Sequence, residues 1–96
     1  MTSSSTPPAE TLRSLEQSRT GYQVFLAEQG SLTQAAYKLA SLKLEARGLR
    51  PPPQAREVHV AACEIHARTG STGSPPTYTA VASEIRSYGL ALAGES

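Results

Sequence analysis

The chain has 96 residues and a formal net charge of +1, so it holds one domain at most. Leu, Ile, Val and Phe total 17 residues beside 14 alanines. A core is therefore modest in bulk, yet near-neutral charge argues against disorder of the whole chain. No apolar run approaches the ~20 residues of a membrane span, and the lone Cys63 excludes an internal disulfide or a cysteine metal cluster.

Residues 1–7, MTSSSTP, are small and polar and read as a disordered tail. They lack the basic and apolar regions of a signal peptide, which points to a cytoplasmic protein. Thr6 with Pro7 and Pro8 suits a helix start. Leu12, Leu15, Tyr22, Phe25 and Leu26 then share one helical face, with Arg19 between them. Gly21 weakens the middle by about 1 kcal/mol relative to Ala. The first helix accordingly runs from 8 to 29, or begins in earnest near Thr20.

Gly30–Leu49 is the best-specified stretch. Gly30 suits the end of one helix. Ser31 and Gln34 form an S-x-x-Q capping box for the next. Leu32, Ala35, Ala36, Leu39, Leu42 and Ala46 recur at helical spacing, which predicts a helix over 32–47. Lys38, Lys43, Glu45 and Arg47 lie off that stripe, and Leu44 points away from it. Gly48 is the stop, and Leu49 sits where a Schellman motif sets an apolar residue against Leu44.

Arg50-Pro51-Pro52-Pro53 is a stiff connector, since three prolines cannot lie inside a helix. Gln54–Thr69 reads as a third helix, with Ala55, Val58, Ala61, Ala62 and Ile65 inward and Gly70 ending it. Cys63 fits a small buried apolar position on this helix. After the loop 71–74, Thr77 caps a fourth helix with Val81, Ala82 and Ile85 inward and Tyr78 and Tyr88 flanking. Gly89 stops it, Leu90 follows, and the tail from 92 to 96 frays. No stretch shows a run of period-two alternation with β-branched residues.

The fold expected is all-α: a bundle of about four helices spanning 8–91, with hairpins 8–49 and 54–91 joined by the Pro linker 50–53. Tyr37 precedes Gly48-Leu49 by the same interval at which Tyr78 precedes Gly89-Leu90, so the hairpins could be a pseudo-repeat. A core this small often gains from self-association, which makes a homodimer an expectation.

Little suggests catalysis. His59 and His66 stand seven apart, roughly 10 Å along a helix, which is too far for one metal without other ligands. The turn from Gly70 to Gly73 lacks the lysine and preceding strand of a phosphate loop. No nucleophile signature appears. The expectation is a non-enzyme with no metal and no cofactor. Between 38 and 56, however, Lys38, Lys43, Arg47, Arg50 and Arg56 face only Glu45 and Glu57. Such a patch could neutralise phosphates. Cations near a helix C-terminus also answer the macrodipole.

The run Val24–Leu39, VFLAEQGSLTQAAYKL, resembles the helix-turn-helix entry of LysR-type regulators through Gly30, Ser31, Thr33, Ala35, Ala36 and Leu39. Small terminase subunits of phages have a similar entry. Residues 58–85 resemble the start of winged-helix modules in LexA-type repressors and plasmid KfrA-type proteins, through Ile65, Gly70, Pro76, Thr77, Val81, Ala82 and Ile85. These resemblances imply a small DNA-binding regulator of phage or plasmid type. Thr33, Gln34 and Lys38 would then be exposed near bases or phosphates, and Lys43, Arg47 and Arg50 would hold the backbone. The alternative is a helical protein-interaction module, an adaptor or inhibitor, motivated by the near-neutral charge and the off-stripe Leu44.

Overall fold

The computed structural model describes residues 8–17, 20–70 and 72–93. The expected 1–7 tail and Arg19 lie outside them. Five helices follow in order: α1 (Pro8–Gln17), α2 (Gly21–Gln29), α3 (Leu32–Ala46), α4 (Ala55–Arg68) and α5 (Tyr78–Ser87). The architecture is all-α, and no strand occurs among the described residues. A fifth helix arises because the 8–29 region is two helices rather than one. α2 begins at Gly21, the residue with the weakest helix propensity in that region after proline.

α3 is the central element. It contacts each of the other four helices, and its contact with α4 is the broadest in the fold. Its start is local chemistry: the Ser31 hydroxyl accepts a hydrogen bond from the Gln34 N–H at 3.1 Å, the forward half of the capping box. Its end is a Schellman turn. Leu49 N–H donates to the Leu44 carbonyl at 2.8 Å, and Gly48 N–H to Glu45 at 3.0 Å. Gly48 takes φ +81°, which only glycine adopts without strain. Gly89 and Leu90 close α5 with the same pair of bonds, to Arg86 and Ile85.

The core is built from Leu15, Tyr22, Phe25, Ala35, Ala36, Leu39, Ala40, Val58, Ala61, Ala62, Ile65, Val81, Ile85 and Leu92. Alanines on α3 and α4 let those two helices approach closely, while Leu39, Ile65 and Ile85 supply the bulk. The buried side of α3 differs from the expected stripe. Thr33, Ala40 and Leu44 are buried, whereas Ala46 is exposed and Leu42 half-buried. A helix flanked on several sides buries a wide arc, so one apolar stripe cannot describe it.

The expected α4 and α5 positions appear nearly as read. Gln54 precedes α4, with its N–H donating to Glu57 Oε1 at 3.4 Å. The Thr77 hydroxyl accepts from Ala80 N–H at 3.2 Å. Val58, Ala61, Ala62, Ile65, Val81, Ala82 and Ile85 are all buried.

The start of the expected frayed tail is instead docked. Leu92 is only 5% exposed. Ala93 N–H donates to the Pro53 carbonyl at 3.0 Å, and the Tyr37 hydroxyl donates to the Ala91 carbonyl at 2.7 Å. One leucine in the core and two hydrogen bonds thus tie the C-terminal segment to the proline connector and to α3. No helix among the described residues is long and apolar enough to cross a membrane.

Candidate functional site

Three helices meet at a polar cluster. Glu64 of α4 accepts from Lys43 Nζ of α3 at 2.6 Å and from the Tyr22 hydroxyl of α2 at 2.9 Å. Arg68 lies over the Tyr22 ring at 5.6 Å, a cation–π contact. Partial burial alone would raise the Glu64 pKa. The hydrogen bonds from Lys43 and Tyr22, with the charges of Lys43 and Arg68, outweigh it and hold the carboxyl below its ordinary range. Lys43 is therefore engaged inside the fold, as an ion pair half open to solvent.

The six residues expected at a DNA surface do not form one group. Thr33 is 2% exposed and donates its hydroxyl to the Glu84 carboxylate of α5. The expectation that it is exposed is corrected. A carboxylate 51 positions away satisfies the hydroxyl, so the threonine can turn inward. Gln34 and Lys38 line an open cleft with Tyr37, Ser41, Glu45 and Leu90, apart from the arginines. Arg50 is exposed beyond the α3 stop.

Lys43 and Arg47 do come together, and Arg56 joins them. The C-terminal half of α3 lies against the start of α4, and a depression of about 160 Å³ opens between them. Ala40, Leu44 and Val60 give it apolar walls, and Lys43, Arg47, Arg56 and Glu57 surround them. Leu44, read from the sequence as pointing outward, is buried at its base. Val60, 54% exposed, projects along its side. A cavity of roughly this size holds one benzene-sized apolar group.

The macrodipole accounts for part of this charge only. Arg47 caps the C-terminus of α3, where a cation is favoured. Arg56 sits in the first turn of α4, where the dipole disfavours a cation. Neither arginine side chain has a hydrogen-bond or ion-pair partner among the described residues, and both residues are exposed. Glu57 is turned towards the Gln54 N–H. At the rim two arginines thus stand against one carboxylate, Glu57, which forms no ion pair with them.

A second polar group ties the 72–77 loop to α4. His59 Nε2 lies 3.0 Å from the Pro76 carbonyl, and the Cys63 sulfur lies 3.5 Å from the same nitrogen. The His59 ring meets Tyr78 edge-on at 6.0 Å. Cys63 is half-buried rather than a fully buried apolar residue. An expectation that no histidine stands four residues from a cysteine is corrected here: His59 and Cys63 are four apart, one helical turn. Nothing in the local sequence singles out Glu64, because its partners stand 21 and 42 positions away. Among the described residues no three His, Cys, Asp or Glu side chains converge as metal ligands.

No protein-family model, curated protein or solved structure matches the chain.

Proposed function

We propose that the chain is a small non-enzymatic interaction module that docks a protein partner on the α3–α4 face around Leu44, Arg47, Arg56 and Val60. The observation that carries this is the pairing of an apolar-walled depression with two exposed arginines whose side chains have no partner among the described residues. Pockets that anchor one side chain, bordered by arginine, are typical of the energetically dominant part of protein interfaces. Phosphate binding has no use for the apolar walls.

α3 itself is poorly suited to reading bases. It touches all four other helices, whereas a recognition helix must enter a groove about 12 Å wide with a free flank. It also runs unbroken through Ser41 to Ala46, while LysR-type modules turn after the position of Leu39. The Ser41 hydroxyl bonds the Tyr37 carbonyl one turn back, and neither Gly nor Pro interrupts the helix.

A second reading, a DNA-binding regulator, is favoured by the exposure of Arg47, Arg50 and Arg56. These three could neutralise phosphates without base contacts. One substitution separates the two readings. Val60→Lys places a better helix former on an exposed position, adds a cation and removes the apolar side wall. Immobilised wild-type and Val60→Lys chains are exposed to the same lysate. A stoichiometric protein retained by the wild type and lost from the variant supports the docking module. Nucleic acid alone, retained more strongly by the variant, overturns it in favour of DNA.

A further inference from the structure

We infer that the occupant of the α3–α4 depression is an acidic amphipathic helix that inserts one large apolar side chain between Leu44 and Val60 and sets carboxylates against Arg47 and Arg56. This inference rests on the docking reading above and names the chemistry of the partner.

Size fixes the apolar part. The depression of about 160 Å³ takes a single Leu- or Phe-sized group. Its walls are Ala40 and Leu44, four apart on α3, and Val60 on α4. From Ala40 to Arg47 the face runs seven residues, roughly 10 Å or two helical turns. A partner helix lying along it covers that length in about two turns, with its one apolar anchor in the depression and carboxylates on the turns beside it.

Charge fixes the polar part. Arg47 and Arg56 stand on opposite helices at the rim, exposed and without an anionic partner among the described residues. The N-terminal end of α4, close to Arg56, adds the positive pole of its dipole. Of the nearby carboxylates, Glu57 faces the Gln54 N–H, and Glu64 is paired with Lys43. A basic segment would meet arginines, and a neutral one would leave them unanswered. An acidic segment offers carboxylates, which arginine binds bidentately.

The test uses the full chain as bait for a phage-displayed library of random 16-residue peptides, followed by titration of the enriched peptides in solution. The expected result is enrichment of sequences with a central Leu or Phe flanked by Asp and Glu. Their Kd should rise at least tenfold for Arg47→Gln/Arg56→Gln and for Val60→Lys, with melting curves near wild type. Duplex DNA should not compete. Enriched peptides that are neutral or basic, or that ignore the double arginine change while losing affinity to Val60→Lys, overturn the acidic occupant and leave the docking face standing. Peptides indifferent to both variants, no enrichment over a blank surface, or displacement by duplex DNA overturn both.

Discussion

Leu39→Ala is the sharpest probe of the fold, because the structure fixes both terms of its cost. Leu39 is completely buried at the centre of α3. Removing it loses the transfer free energy of the missing carbons, and it also leaves a cavity whose cost depends on how far the neighbours relax. The cluster that holds it contains Ala35, Ala36, Ala40, Ala61 and Ala62. Alanine has no rotamer with which to reach into a hole, and α3 is braced by four helices. Collapse is therefore limited, and the loss should fall in the upper part of the ~2–5 kcal/mol range, about 4 kcal/mol. A domain of this length has a total stability of roughly 5–14 kcal/mol, so the change removes a large share of it. The melting temperature should fall by about 15–30 °C. Far-UV circular dichroism measures both, the free-energy loss by urea unfolding and the melting temperature by a thermal scan, since the chain has no tryptophan. A loss below about 1 kcal/mol would refute the reasoning, because it would mean that the alanine-lined centre closes after all.

Three further outcomes follow from the local geometry. The Glu64 carboxyl is held below its ordinary value of 4.5 in the folded chain, so its contribution is present above that pH and lost as pH falls through the folded value. The stability gap between wild type and Glu64→Gln should therefore shrink between about pH 5 and pH 3 in urea titrations; a gap that widened on acidification would contradict the sign. Ser31→Ala removes the acceptor for Gln34 N–H and should cost about 1 kcal/mol in the same assay, and no change would show the cap to be idle. Gly48→Ala meets open space but keeps φ at +81°, so its cost should be backbone strain alone, about 1–2 kcal/mol, and an unaltered urea midpoint would contradict the Schellman turn.

What the sequence reveals here is set by distance along the chain. Ser31, Gly48, Leu49, Thr77 and Gly89 act on groups within five residues, and their roles are legible without a structure. The α4 and α5 stripes are legible too, because each of those helices turns a single face to the core. α3 defeats that logic. It is surrounded, so Ala40 and Leu44 are buried beyond the apolar stripe, and Ala46 emerges because the chain leaves the bundle there. Thr33 is hidden by a bond to Glu84, and Glu64 is built from Tyr22 and Lys43. Such pairings become visible only when the helices meet. Arg47 was visible as a cation in the sequence. Its convergence with Arg56 on an apolar hole depends on how α3 and α4 align across the proline connector.

The docking claim is tested most directly by the Kd of a captured protein partner for the wild-type and Val60→Lys chains at one salt concentration. Loss of the apolar wall should raise the Kd at least tenfold, the equivalent of about 1.4 kcal/mol, even though the variant carries one more positive charge. A Kd that stays the same or falls would contradict the apolar depression as the docking site, leaving at most a surface that works by charge.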